Sequence, residues 1–492
     1  MEMCTGKAVG SETPVADQIT SPPIVAKLRV ASLFSGIGGF DLAFDIEGAE
    51  VVFQCERDAY CRAVLRRHWH KATISDDILS LQPADIPDAD IWTAGFPCQD
   101  VSLARGNHGR NGLKGDHTSL FFRLMELVAV KKPKVILLEN VVGLLNSHKG
   151  QDFAVILGEL TQHGYAVAWR VMNARYFGAP QSRARVFLCA WRGDYQRAVT
   201  TLFENLPGAA IGRERTGFVT QSVHKRTGAI VPTVAYCVAA TSGRHTGNDW
   251  SRSYISYPDG VRRPTPTESE RLQGFPAGWT IPAATFAPPA RGLDSDRYKA
   301  AGNAVAVPVV QWIAKRLIAQ LSSVPPPSAP TTFLKNVSEI APDLGGKHSE
   351  LDFDQIDPLV VAGQFVHRWK SGGCAWGKSI LEGMASPAPS KIIPSSFVDA
   401  LDEDVPDDRY FLTANAAVGI LRRADVVGRN LFPPMRKALE NLVRQTKGSD
   451  KSEPLTTGEP FGQSRLRPSW SEQRGQVELI GAGAERRLSG TD

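Results

Sequence analysis

The run Ala89-Asp90-Ile91-Trp92-Thr93-Ala94 breaks into Gly95-Phe96-Pro97-Cys98-Gln99. A short apolar run closed by a turn reads as a buried strand. Gly95 allows a sharp turn, and Pro97 fixes φ beside the cysteine. Cys98 then sits at the C-terminal edge of a sheet, where open α/β folds collect their reactive groups. Taken alone, a cysteine in an apolar run is more often a buried, inert thiol. The rest of the chain decides between the two.

Four further runs have the same form. Lys27–Phe34 leads into Ser35-Gly36-Ile37-Gly38-Gly39-Phe40 and then a helix start near Asp41. Glycines at such a turn let a backbone approach a dinucleotide, a phosphate or an adenosyl group, or make only a tight turn. The run Glu50–Glu56 ends in an acid about 20 residues past the glycines, where this architecture puts a carboxylate on ribose hydroxyls or at a helix start. Asp77 and Ile78 close another short strand. Lys134–Leu138 reads as a fully buried strand and ends at Glu139, which predicts partial desolvation and a raised carboxyl pKa. A hairpin is expected from Ala166–Asn173 and Arg185–Trp191, with Gln181, Arg183 and Arg185 alternating onto one face.

Composition narrows the class. The chain has 492 residues, 42% hydrophobic, which is enough for a large core and more than one domain. A net charge of +5 permits an anionic partner without demanding one. Cys4, Cys55, Cys61, Cys98, Cys189, Cys237 and Cys374 are odd in number and contain no C-x-x-C pair. This argues against a disulfide framework or zinc site and for a reducing cytoplasm. No apolar run approaches about 18 residues, so no membrane span is expected. The N-terminus lacks a signal pattern.

In order, these blocks resemble the cytosine-C5 DNA methyltransferases. The matching stretches are Ser32–Phe40, Gly95–Gln99, Glu139-Asn140-Val141, Gln181–Arg185, Arg262–Thr265 with Glu268 and Arg271–Pro276, and Ala301–Val305 with Pro308. Ser32 departs from the Asp common in the family. The resemblance implies a Rossmann-like, S-adenosylmethionine-dependent α/β fold with a small inserted DNA-recognition domain. It implies Cys98 as nucleophile on C6 of a cytosine flipped out of double-stranded DNA, with Glu139, Arg183 and Arg185 as its catalytic partners. It places S-adenosyl-L-methionine against Phe34, Ser35, Gly36, Ile37, Gly38, Gly39, Glu56, Asp77, Ile78, Pro97, Leu120, Asn303 and Ala304. It implies DNA contacts from Ser102, Arg105, Gln181, Arg244 and His245, and no metal. A restriction endonuclease is the implied functional partner of a monomer. An RNA-directed relative, or a non-catalytic DNA-binding regulator that kept the fold, stays open as an alternative.

The expected organisation begins with a disordered arm at 1–26 and a catalytic part at 27–191. A target-recognition region comes next at 192–284, and 285–321 completes the catalytic domain. Residues 322–408 read as a linker and irregular segment, and 447–492 as a disordered tail. Between them, 409–446 reads as a helical hairpin that is partly basic, with Thr413 as N-cap and Pro433-Pro434 opening the second helix. The Asp100–Thr118 loop, with four glycines and several basic residues, reads as a lid beside the cysteine.

Overall fold

The computed structural model describes residues 27–97, 120–209, 216–243, 251–324, 332–345, 347–353 and 365–449. The apolar runs form parallel strands β1 (Arg29–Leu33), β2 (Glu50–Cys55), β3 (Thr73–Ser75), β4 (Ile91–Ala94) and the first part of β5 (Val135–Val141). Helices α1 (Gly39–Ile46) and α2 (Ala59–His68) pack on one face, and α3 (Leu120–Lys131) and α4 (Gln151–Gln162) on the other. The Asp58 side chain caps α2 by accepting from Tyr60 N at 2.9 Å.

The expected hairpin forms. β6 (Tyr165–Asn173) pairs antiparallel with β8 (Ala184–Arg192) through nine residue pairs, with the two-residue β7 (Gln181–Ser182) between them. All nine residues of β6 are buried, because helices cover the sheet on both sides. Helix α5 (Tyr195–Leu202) buries Tyr195, Val199 and Leu202 in the same core as α1. The layer packed on the central sheet therefore extends past residue 191. A small antiparallel sheet comes after it, made by β9 (Gln221–Val223), β10 (Ile230–Pro232), β12 (Ile255–Tyr257) and β13 (Gly260–Arg262); β11 (Ala235–Tyr236) pairs with β7 instead. Helix α6 (Pro266–Leu272) starts with a capping box between Thr265 and Glu268. Phe275 and Trp279 just beyond it return to the core beside Phe40. Helices α7 (Asp294–Asn303) and α8 (Val307–Ser322) complete that face, and Val310, Ile313 and Leu317 are fully buried.

The segment from 333 to 408 corrects the expectation of irregular chain. It holds helix α9 (Phe333–Ile340) and strands β14 (Lys347–Glu350), β15 (Gly372–Trp376) and β16 (Ser379–Gly383). β15 pairs antiparallel with β6, so the central sheet reaches ten strands among the described residues, in the order β14-β16-β15-β6-β8-β5-β4-β1-β2-β3. The strand was illegible because it reads Gly-Gly-Cys-Ala-Trp. Trp169 of β6 needs the space: a Cβ on Gly373 would lie 2.2 Å from its ring.

From β16 the chain runs across the molecule as a strap. Asn173 N donates to Pro387 O, Ile393 N to Tyr176 O, Phe397 N to Thr233 O and Leu412 N to Val261 O. It ends in the expected hairpin, α10 (Ala414–Val426) and α11 (Pro433–Ser449), with the Thr413 hydroxyl accepting from Ala416 N. The hairpin covers β12 and β13 through Tyr254, Val261, Ile420 and Leu439. The small antiparallel sheet, the strap and the hairpin, over the span expected to recognise the target, thus form one lobe. Residues 1–26 and 450–492 lie outside the described residues. Among those described, no single helix is long and apolar enough to cross a membrane.

One buried cation fastens the strap. Arg170 is 1% exposed and donates to the carbonyls of Leu202, Ser386 and Ala388. Burial lowers its pKa to about 10. Arg170→Met would leave three carbonyls without their donor. A destabilisation of about 3 kcal/mol is expected at the cost of unpaired buried groups, together with faster hydrogen exchange at the Asn173 amide. Urea denaturation and exchange mass spectrometry measure both, and an unchanged Asn173 amide would refute the fastening role.

Candidate active site

Register brings the strand ends to one edge. Ser75 pairs with Cys55, Cys55 with Leu33, Leu33 with Ala94 and Ala94 with Leu138. The segments just past the strand ends therefore emerge in a row: Asp77 and Ile78, Glu56, the glycine turn, Gly95-Phe96-Pro97 and Glu139. With strands about 4.8 Å apart, Glu139 stands about 10 Å from the β1 turn. The described chain stops at Pro97, so Cys98 lies outside it, as do Ser102, Arg105, Arg244, His245 and the loop Asp100–Thr118.

The glycine turn is built from both sides. Gly36 has φ +56°, and nothing lies within 4 Å of where its Cβ would be, so an open cradle faces outward. Gly38 has φ +80°, and a Cβ there would strike the Trp69 ring at 2.4 Å. At Gly39 a Cβ would meet Val305 Cγ2 at 2.7 Å, which shows how the Asn303-Ala304-Val305 turn returns to this loop. Asn303 is exposed and Ala304 buried. Half-buried Glu56 accepts from Gly36 N at 2.8 Å and from Asp58 N at 2.7 Å, so its carboxylate sits at the mouth of the cradle. An open glycine cradle edged by a carboxylate fits an adenosyl group with ribose hydroxyls to satisfy. Half-buried Phe34 enters the turn at φ +55°. Leu120 begins the helix whose Phe121 ring packs 5.1 Å from Phe96.

Two cofactor candidates point their side chains elsewhere. The Ser35 hydroxyl donates to Ser32 O at 3.0 Å and accepts from Cys55 N at 3.2 Å. The Ile37 side chain lies in the core. Both fix the turn from beneath. Asp77 turns one carboxylate oxygen to Leu79 N at 3.0 Å, which closes the loop after β3 beside buried Ile78.

The catalytic end centres on Glu139. Arg185 Nε lies 3.0 Å from Glu139 Oε1 because β8 pairs with β5 and places Arg185 opposite Val141. Glu139 Oε2 lies 3.7 Å from the Cβ position of Gly95, so the carboxyl overlooks the turn that leads to Cys98. Burial pushes the Glu139 pKa up, against the charges of Arg185 and Arg183. The raised value expected from an acid closing an apolar strand is what the structure gives.

Gln181 and Arg183 do not share that face. β7 ends at Ser182 and β8 starts at Ala184, because Asn173 Oδ1 accepts from Arg183 N and interrupts the alternation. Gln181 is fully buried. Its Nε2 donates to Leu272 O at 2.8 Å and Gln273 Oε1 at 2.7 Å, and its Oε1 accepts from Val238 N at 3.0 Å. With every polar atom bonded inside the fold, it is not a DNA contact. Arg183 is 4% exposed and donates to Val238 O, Gly302 O and Ala304 O. It clamps the Ala304 turn to the entrance of the recognition lobe and reaches Glu139 only through its charge.

Sequence reasoning assigned no role to several supports. Asn140 Nδ2 donates to Phe96 O at 3.0 Å and fixes the cysteine turn; it lay inside a matching block with no stated task. Trp279 Nε1 donates to Ile37 O at 2.8 Å, and the Trp279 ring stacks on His68 at 3.6 Å. No local pattern marks His68 and Trp279, 211 positions apart, as partners. Beneath the loop, Asp41 is fully buried and accepts from the Ser32 hydroxyl at 2.9 Å and Gln54 Nε2 at 2.8 Å. The Ser32 departure therefore supplies a donor to a carboxyl that comes from α1.

Burial pushes the Asp41 pKa from 3.8 to about 6. The folded state holds this proton more tightly than the unfolded chain. Its contribution is complete below the ordinary value and is lost as pH rises to about 6. That loss amounts to about 3 kcal/mol. Asp41→Asn is expected to flatten stability between about pH 4 and pH 7 by that amount, read as urea midpoints. Equal pH slopes in the two proteins would refute it.

Comparison with known proteins gives a consistent answer. A family model described as C-5 cytosine-specific DNA methylase matches residues 28–226 and 212–319. The Type II methyltransferase M.NlaX of Neisseria lactamica is 33% identical over 318 residues, covering 60% of this chain and 98% of that protein. M.HaeII of Haemophilus aegyptius is 32% identical over 318 residues, covering 60% and 94%. The structure of the S. pombe Dnmt2 methyltransferase aligns with 60% of this chain and 100% of its own at 19% identity and a TM-score of 0.45. With the family model spanning more than half of the chain, this protein belongs to the C-5 cytosine-specific DNA methylases and is an S-adenosylmethionine-dependent DNA (cytosine-5)-methyltransferase.

Proposed function

We propose that Cys98, Glu139 and Arg185 carry out the reaction on a cytosine flipped out of double-stranded DNA. The observation that supports this most is the Glu139–Arg185 pair, held over the turn that enters Cys98 and two strands from the glycine cradle. Cytosine C5 is too weak a nucleophile to take a methyl group unaided. A Cys98 thiolate adding to C6 makes C5 enamine-like, which splits one difficult step into two. Glu139, whose carboxyl pKa is raised by burial, hydrogen-bonds N3 and the exocyclic amine and keeps N3 protonated as charge develops. Arg185 orients Glu139 and steadies the base. Phe34, Gly36, Glu56, Ile78, Pro97, Leu120 and Asn303 would hold S-adenosyl-L-methionine, which would supply the methyl group to C5, its sulfonium leaving as a neutral thioether. Loss of the C5 proton and departure of the Cys98 sulfur then restore the aromatic ring. Extrusion of the base costs a few kcal/mol, which contacts from the Asp100–Thr118 loop offset.

Ser102, Arg105, Arg244 and His245 are proposed as DNA contacts on chemical grounds, since hydroxyls and cations suit phosphates and base edges. The same reading places the enzyme in the cytoplasm as a monomer, with a cognate restriction endonuclease as its functional partner; the Type II names of M.NlaX and M.HaeII support only the last of these.

Cys98→Ser is expected to abolish tritiated methyl transfer to unmethylated duplex DNA. Wild type, but not the variant, is expected to form a denaturation-resistant adduct with DNA containing 5-fluorocytosine. Equal trapping by the two proteins would remove Cys98 from the mechanism. Glu139→Gln is expected to lower kcat by about 10²–10⁴-fold, the usual weight of a general acid or base. Faster transfer to transfer RNA than to duplex DNA would overturn the substrate assignment.

A further inference from the structure

We propose that the C-terminal hairpin α10–α11 is a DNA-backbone clamp that extends the footprint of the recognition lobe beyond the target site. This rests on DNA being the substrate. The family match ends at residue 319, and 60% of this chain is enough to match 98% of M.NlaX. The hairpin is therefore an addition to the reaction core, yet it is built into the lobe. Its inner face buries Ala417, Ile420, Met435 and Leu439 against Tyr254 and Val261, and Asn441 Nδ2 donates to Pro258 O at 2.9 Å in the β12–β13 turn.

The outer face carries a one-sided charge. Between Thr413 and Gln445 the sequence holds six cations and two acids. Both acids, Asp425 and Glu440, are taken by Arg436, at 2.8 and 3.0 Å. Arg422, Arg429, Lys437 and Arg444 are exposed, and among the described residues no carboxylate pairs with them. Lys437, Asn441 and Arg444 fall on one stripe of α11, and Asn441 anchors that stripe at the β12–β13 turn. α11 has 17 residues and so runs about 25 Å, the length of about seven base pairs. A surplus of fixed cations on the lobe that meets DNA suits phosphates flanking the site, contacted without regard to sequence.

The test neutralises the four cations together, as Arg422→Gln, Arg429→Gln, Lys437→Gln and Arg444→Gln. Binding to random-sequence duplexes of about 12 and about 40 base pairs is measured across a salt series. Wild type is expected to show a steeper salt slope on the long duplex, and the variant to lose about 0.9 from that slope per contact removed. At about 0.15 M salt the long duplex should bind at least tenfold more weakly to the variant. Melting temperature and methyl transfer to saturating unmethylated plasmid DNA should not change. The same length dependence in both proteins would overturn the clamp, as would equal weakening on both duplexes. A wild type that binds with this length dependence but transfers no methyl group would sink the enzymatic reading and leave the clamp standing.

Discussion

Parallel pairing of β3, β2, β1, β4 and β5 in one register is the constraint that creates the site. Backbone hydrogen bonds fix where each strand stops, so five separate sequence segments deliver their next residues to one edge. A glycine cradle, a carboxylate at its mouth, a cysteine turn and a buried acid are thereby ordered across about 20 Å of sheet without any direct contact among most of them. The spacing is a property of the ladder, and a side chain at the edge inherits it. Arg185 is the exception, since it arrives on the antiparallel β8 and meets Glu139 from the opposite direction.

The supports beneath that edge show what a chemically demanding site requires of its surroundings. The Glu139–Arg185 pair is largely withdrawn from water, and such a pair is expensive unless held in place. Arg185 is held by β5 on one side and β6 on the other. Arg183 and Gln273 both donate to Ala304 O, and Gln273 bonds to Gln181 as well. These buried amides and guanidinium tie the cysteine side of the sheet, the glycine side and the entrance to the recognition lobe into one polar network. Such a network resists deformation when its members are satisfied.

Much of this was legible in the residues. Strands ending in glycine or acid gave the α/β edge, and Glu139 after Val135–Leu138 gave a raised pKa before any coordinates. The same reasoning failed where tertiary context replaces local pattern. Gln181, Arg183 and Arg185 alternate in sequence, yet the Asn173 cap leaves Gln181 and Arg185 in different sheets and Arg183 in the break between them. β15 carries no strand signature because Trp169 fills the volume that β-branched side chains would occupy. Trp69 and Trp279, which brace the glycine turn, lie far apart along the chain, and only folding pairs them.

The strap that runs from β15 to the hairpin has a consequence for the order in which the protein matures. Until residues beyond 365 leave the ribosome, β6 is an unprotected sheet edge, and the Val261 side of the β12–β13 ribbon has no cover. The sheet from β1 to β8 can assemble early, but the lobe built with the strap and hairpin is finished only once residues up to 449 have been made. A chain cut short before β15 would leave the open side of β6 unpaired, an edge that invites pairing with other chains.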